Sequence, residues 1–219
     1  MECFALVVIG WIFSVCIHEF AHAWVAQKGG VYTVVEKGYL TLNPFRYAHP
    51  VYSVLMPVVF LLLGGIGLPG GAVYINHSLL RSKQWEMAVA LAGPAANLII
   101  VLLLALGFRT GLIPDDPSNL LTVSLAFLMH LELSAILLNL LPVPPLDGFQ
   151  AIAPWLPPHV RQAGYNMAGA AQLILLVVLW NDNIVRNTFW SIILTASSAC
   201  GAEPYLVYLG YKEFAFWRH

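Results

Sequence analysis

The chain has 219 residues, of which 59% are hydrophobic and only 10% charged, with a formal net charge of −1. Soluble domains carry about 25% charged residues, so this composition excludes an ordinary water-soluble domain and implies a polytopic membrane protein folded as one bundle. The near-neutral balance offers no nucleic-acid surface, and Cys3, Cys16 and Cys200 lack the paired spacing of a disulfide framework or a cysteine metal site.

A membrane-spanning helix needs roughly 20 apolar residues. Residues 4–27, 85–106, 120–141, a shorter 165–180 and 188–209 fit that pattern and predict an all-α polytopic membrane protein with about five transmembrane helices. Met1-Glu2-Cys3 has no basic n-region, so the first run is expected to be retained rather than cleaved as a signal peptide. After it, Val31, Thr33 and Val35 alternate, Lys37-Gly38 supplies a turn and 39–42 continues in strand-like residues, which predicts a short membrane-surface β-hairpin over 31–42. Trp11, Trp85, Trp155 and Trp180 include several near span ends, where tryptophan anchors at the interface.

A sixth apolar run, 51–68, is broken by Pro57 and Gly64-Gly65. If it re-enters on one face, Lys28, Lys37, Arg46, Arg81, Lys83, Arg161, Lys212 and Arg218 share one side, against Arg109 and Arg186; if it spans, the split is five against five. Lysine and arginine favour the cytoplasmic side. The re-entrant reading therefore gives a clear orientation, with the N-terminus outside.

The first run contains "CIHEFAHAWVA", residues 16–26. Ionisable groups inside a membrane helix are costly and so pair, ligate or line a wet cavity. His18 and His22, four residues apart, lie on one helix face and can offer two imidazoles to one metal ion, with Glu19 as general base. The bland alternative is two histidines satisfied by neighbouring helices. Catalytic zinc takes three protein ligands and leaves a position for water, and "LLNLLPVPPLDGFQA" (137–151) supplies a carboxylate. There Pro142, Pro144 and Pro145 prevent regular helix and Gly148 permits a tight turn, so Asp147 can return toward the bundle.

These residues resemble the site-2 proteases, zinc metalloproteases that cut substrates within the membrane. The resemblance rests on "HEFAH", "YLTLNP" (39–44), "LAGPAANL" (91–98) and "NLLPVPPLDG" (139–148), in a core of about 4–151 within one domain of 1–219, with accessory helices at about 165–210. It implies one zinc per chain held by His18, His22 and Asp147, Glu19 as the catalytic base and a transmembrane protein as substrate; the apolar runs themselves predict a multi-pass location in the bilayer, and the re-entrant reading puts the active site toward the cytoplasm. The resemblance also suggests that Asn139 holds the substrate backbone; its alternative is an interhelical hydrogen bond. Asn97 either contacts substrate or braces the core. Two departures stand out: Glu132, where relatives often carry an amide, and "YAHPVYS" in place of an acidic form. No PDZ-like insert is present. His130 and Glu132 are two residues apart within a span and so do not face each other, and Glu132 is read as a hydrogen-bonded acid or a group near the metal's surroundings. His49, His77, His159 and His219 are not expected to be ligands. A zinc transporter or sensor is the alternative function; it would place its ligands near the midplane, with release paths to both faces.

Overall fold

The computed structural model describes residues 1–43, 46 and 74–218. Its α-helices are α1 (Glu2–Lys28), α2 (Thr33–Glu36), α3 (Lys83–Arg109), α4 (Leu120–Asn139), α5 (Asp147–Ile152), α6 (Pro158–Asn166), α7 (Ala168–Trp180), α8 (Ile184–Ala199) and α9 (Pro204–Phe214), with short 3-10 turns at His77–Leu79, Ala153–Trp155 and Phe216–Arg218. Three helices, α1, α3 and α4, are long and apolar enough to cross a membrane, and up to five spans result if each of two bent pairs is counted as one. The expected spans over 165–180 and 188–209 are therefore not straight helices. The α6–α7 pair bends by 62° and the α8–α9 pair by 112°. Gly201, at φ +97, and Pro204, at the start of α9, turn the chain at the second break.

Charge and capping set the ends of the long helices. Glu2 lies in the first turn of α1 and Lys28 in its last, each favourable to the helix dipole. The Ser82 hydroxyl caps α3 by accepting from the Trp85 N–H, and the Asn119 side chain caps α4 by accepting from the Leu121 and Thr122 N–H groups. The Arg81 N–H donates to the Gly29 carbonyl at 3.1 Å, and Leu80 and Trp85 lie against Gly29. The chain therefore leaves the end of α1 and enters α3 at the same end of the bundle. The segment at 51–68 expected to re-enter lies outside the described residues.

Among the described residues there is no strand, and the hairpin expected over 31–42 is not formed. A strand would bury 31, 33 and 35 together. Instead Val31 and Val34 are fully buried while Val35 is 46% exposed, a spacing of three that belongs to a helical turn. These two valines and Tyr39 pack with Ala23 and Ala26 of α1, so tertiary packing overrides the β-branched preference.

The main core joins Cys3, Val7 and Trp11 of α1 with Phe127, Met129 and Leu131 of α4 and with Leu206 and Phe214 of α9. Trp11 is thus a core residue, whereas Trp155 and Trp180 are about half exposed (49% and 52%). At the far end, the Arg109 side chain donates to the Ala199 carbonyl, and Phe214 stacks on Phe4 at 5.3 Å. Lys212 accordingly belongs to the Arg109 end and not, as the linear count has it, with Lys28. The bend between α8 and α9 keeps the chain there. Without hydrophobic drive between helices in lipid, close packing carries the association. Gly210 shows this most sharply: an added Cβ would fall 2.1 Å from the Val123 carbonyl oxygen of α4. Gly210→Ala should destabilise the protein by about 1–3 kcal/mol, measured by thermal unfolding in detergent; an unchanged transition would contradict this packing.

Candidate metal centre

His18, Glu19 and His22 lie in the second half of α1 and are 5%, 4% and 8% exposed. Asp147, the first residue of α5, reaches them from late in the chain. An added Cβ at Gly148 would fall 2.2 Å from the Leu140 carbonyl oxygen. Only glycine therefore lets α5 start against the end of α4 and aim Asp147 inward. The Asp147 Oδ2 lies 3.3 Å from His18 Nε2, and its Oδ1 lies 3.6 Å from His22 Nε2. The two Nε2 atoms are 3.0 Å apart.

The other ring nitrogens point away from this cluster. His22 Nδ1 meets the Val89 carbonyl at 2.7 Å, and His18 Nδ1 meets Asn97 Oδ1 at 3.3 Å. A carbonyl oxygen only accepts, so each Nδ1 donates its proton, and Nε2 is the nitrogen of each ring that can offer a lone pair to a metal. The two Nε2 atoms and the Asp147 carboxylate face one another in a buried site. Asp147 Oδ2 has no hydrogen-bond partner. Such a cluster needs a positive charge among its members, which a proton or a bound metal cation supplies.

The donor set fits zinc in two respects. Ligand atoms at about 2.1 Å in a tetrahedron lie about 3.4 Å from one another; the Nε2 atoms are 3.0 Å apart, and Asp147 turns one oxygen to each ring, at 3.3 and 3.6 Å, a spacing of that order. The other ring nitrogens are held by an amide and a backbone carbonyl, as metal-bound histidines require. Helix α3 supplies both braces, and its Gly93 lies over the imidazoles: an added Cβ would fall 2.3 Å from His22 Nε2 and 2.4 Å from His18 Nε2. A helix carrying any side chain at this position could not approach the rings so closely. Among the described residues, His18, His22 and Asp147 are the one group of three such side chains arranged to hold a metal ion.

The remaining candidates lie around this group. Asn139 ends α4, is 3% exposed, and its Nδ2 has no hydrogen-bond partner. Glu132 is fully buried; its Oε2 accepts from the Ser14 hydroxyl at 2.6 Å, while Oε1 has no hydrogen-bond partner. Ser14 is one turn before His18 on α1. His130 turns elsewhere, stacking on Trp190 and meeting Ser197 Oγ at 3.3 Å. Sequence reasoning missed the Val89 brace because a backbone carbonyl leaves no mark in residue type. The small residues Ala92, Gly93, Ala95 and Ala96 are the sequence signal for a helix that approaches closely, but they do not say that Gly93 meets the imidazoles.

A buried pair of imidazoles and a carboxylate within a bundle of apolar helices defines a membrane metalloprotein. The family model for peptidase family M50 matches residues 4–113. Rip2 of Mycolicibacterium smegmatis, named as a candidate zinc metalloprotease, is 41% identical over 217 residues, covering 98% of this chain and 81% of that protein. Rip2 of Mycobacterium tuberculosis is 39% identical over 216 residues with the same shares, and YwhC of Bacillus subtilis, named likewise, is 33% identical over 198 residues, 84% of this chain and 83% of its own. No solved structure matches significantly. The chain belongs to peptidase family M50, the site-2 protease family that its motifs resemble.

Gly93→Ala should push α3 off the imidazoles and weaken zinc binding by at least tenfold, within the range for lost outer support of metal ligands. Chelator competition on purified protein measures this; unchanged affinity would mean that the close approach is not required.

Proposed function

We propose that this chain is a zinc-dependent intramembrane endopeptidase that hydrolyses peptide bonds in the membrane-spanning segments of other proteins. One observation carries the reading: two histidines with outward-braced Nδ1 atoms and a carboxylate from 125 residues further along converge at a buried point, in a member of a peptidase family. His18, His22 and Asp147 are assigned as the ligands of one zinc ion per chain, and Glu19 as the catalytic base. Bound there, zinc supplies Lewis acidity, which makes water more acidic and polarises a carbonyl.

Glu19 takes the proton from the water as its oxygen bonds to the scissile carbon. It then delivers that proton to the amide nitrogen as the C–N bond breaks. Burial of Glu19 keeps this carboxylate away from bulk solvent. Asn97, weighed as a substrate contact or a brace, is assigned the bracing role because its Oδ1 is engaged by His18. Asn139 is assigned to substrate: its unpartnered Nδ2 is a buried donor suited to a peptide carbonyl. A transmembrane helix ties up its own amides, so the substrate unwinds locally before it can use that donor.

The chain is read as one membrane-embedded catalytic unit, 1–219, with its core at about 4–151 and accessory helices at about 165–210. Its N-terminus is placed outside and the centre toward the cytoplasm. Lys28, Lys37, Arg46, Arg81, Lys83 and Arg161, at the end of the bundle nearer the metal centre, support that orientation.

Glu19→Gln should keep zinc while lowering cleavage of a reconstituted membrane-anchored substrate by about 10²–10⁴-fold; undiminished cleavage would remove it as the base. Metal analysis of Asp147→Ala should find zinc lost, whereas a wild-type zinc content would show that the third ligand lies elsewhere. Asn139→Ala should raise KM with zinc content unchanged; a fall in zinc content would make Asn139 part of the metal centre instead.

A further inference from the structure

Glu86, in the first turn of α3, accepts from Arg161 Nη2 of α6 at 2.8 Å. Its other neighbour is His77 Nδ1 at 4.0 Å. Burial holds the His77 imidazole below its ordinary pKa, so Arg161 provides the positive charge at neutral pH. The Glu86 side chain is 15% exposed and that of Arg161 31%, which distinguishes the pair from a fully solvated one.

The placement of the pair gives it a role. Glu86 is three residues before Val89, whose carbonyl holds His22, and it shares a stripe of α3 with Gly93 and Asn97. On the other side, the Arg161 guanidinium lies 5.8 Å from the Tyr165 ring centre. Tyr165 meets Phe149 edge-on at 5.6 Å, and Phe149 fills the space left by Gly164. Phe149 follows Asp147 by two residues in α5. The ion pair therefore closes a mechanical circuit between the helix that braces the histidines and the short helix that presents the carboxylate.

We propose that the Glu86–Arg161 ion pair positions the metal centre by fixing how closely the Asp147 carboxylate approaches the two imidazoles, and that it thereby sets the affinity for zinc. This rests on the zinc reading above. Both residues act through Asp147 and neither touches the metal. The rest of the stripe holds the imidazoles in place, so loss of the pair changes the spacing of the ligands and leaves their identity intact.

The test is chelator competition for zinc on full-length protein in detergent, beside thermal unfolding of the metal-free form. Glu86→Ala and Arg161→Ala should each weaken zinc binding about tenfold while the metal-free transition stays unchanged. Arg161→Lys, which keeps a cation beside both Glu86 and the Tyr165 ring, should recover most of that loss. Alanine variants within twofold of wild type would overturn the proposal, as would a loss that Arg161→Lys does not recover or that follows metal-free stability. Wild-type protein that binds no zinc would instead overturn the metal reading itself, and this proposal with it.

Discussion

The structure depends on one electrostatic constraint. Two imidazole nitrogens and a carboxylate are held 3.0–3.6 Å apart in a buried site, with the ring protons directed away from one another. Burial leaves these groups little solvent to solvate them, so the carboxylate and the ring nitrogens need a positive charge among them. A cation at their centre turns the same arrangement into a stable one. Much of the surrounding packing follows from the need to keep these groups close and their protons outward.

Helix α3 meets that need along a single face. Val89 and Asn97 hold the outer nitrogens of the two rings, and Gly93 between them lets the helix backbone approach. Gly148 performs the corresponding service for Asp147 by letting α5 begin against the carbonyl groups that end α4. Both glycines are required for lack of volume, and neither has a left-handed backbone. Close approach of small residues is a general means of helix association in lipid; here it also serves the centre.

The three long helices were legible because 20-residue apolar runs have few other uses. The histidines and Glu19 were legible because ionisable groups in such a run are expensive. The hairpin at 31–42 was misread because alternation over five residues does not distinguish a strand from a helical turn whose buried positions are three apart. Only the packing of Val31 and Val34 against α1 decided that. Trp11 was grouped with interfacial tryptophans, yet it lies in the core; depth along a helix says nothing about which face meets lipid.

The sequence by itself determined the membrane class, the family and the types of group able to bind a metal, since each depends on local composition or on short spacings along one helix. Tertiary structure decided that Asp147 meets His18 and His22, that α3 supplies both outer braces, and that the last helix lies at the Arg109 end. Those facts depend on contacts between residues far apart in the chain and on backbone atoms that every residue shares. Residue type records neither the distance between helices nor the direction of a carbonyl.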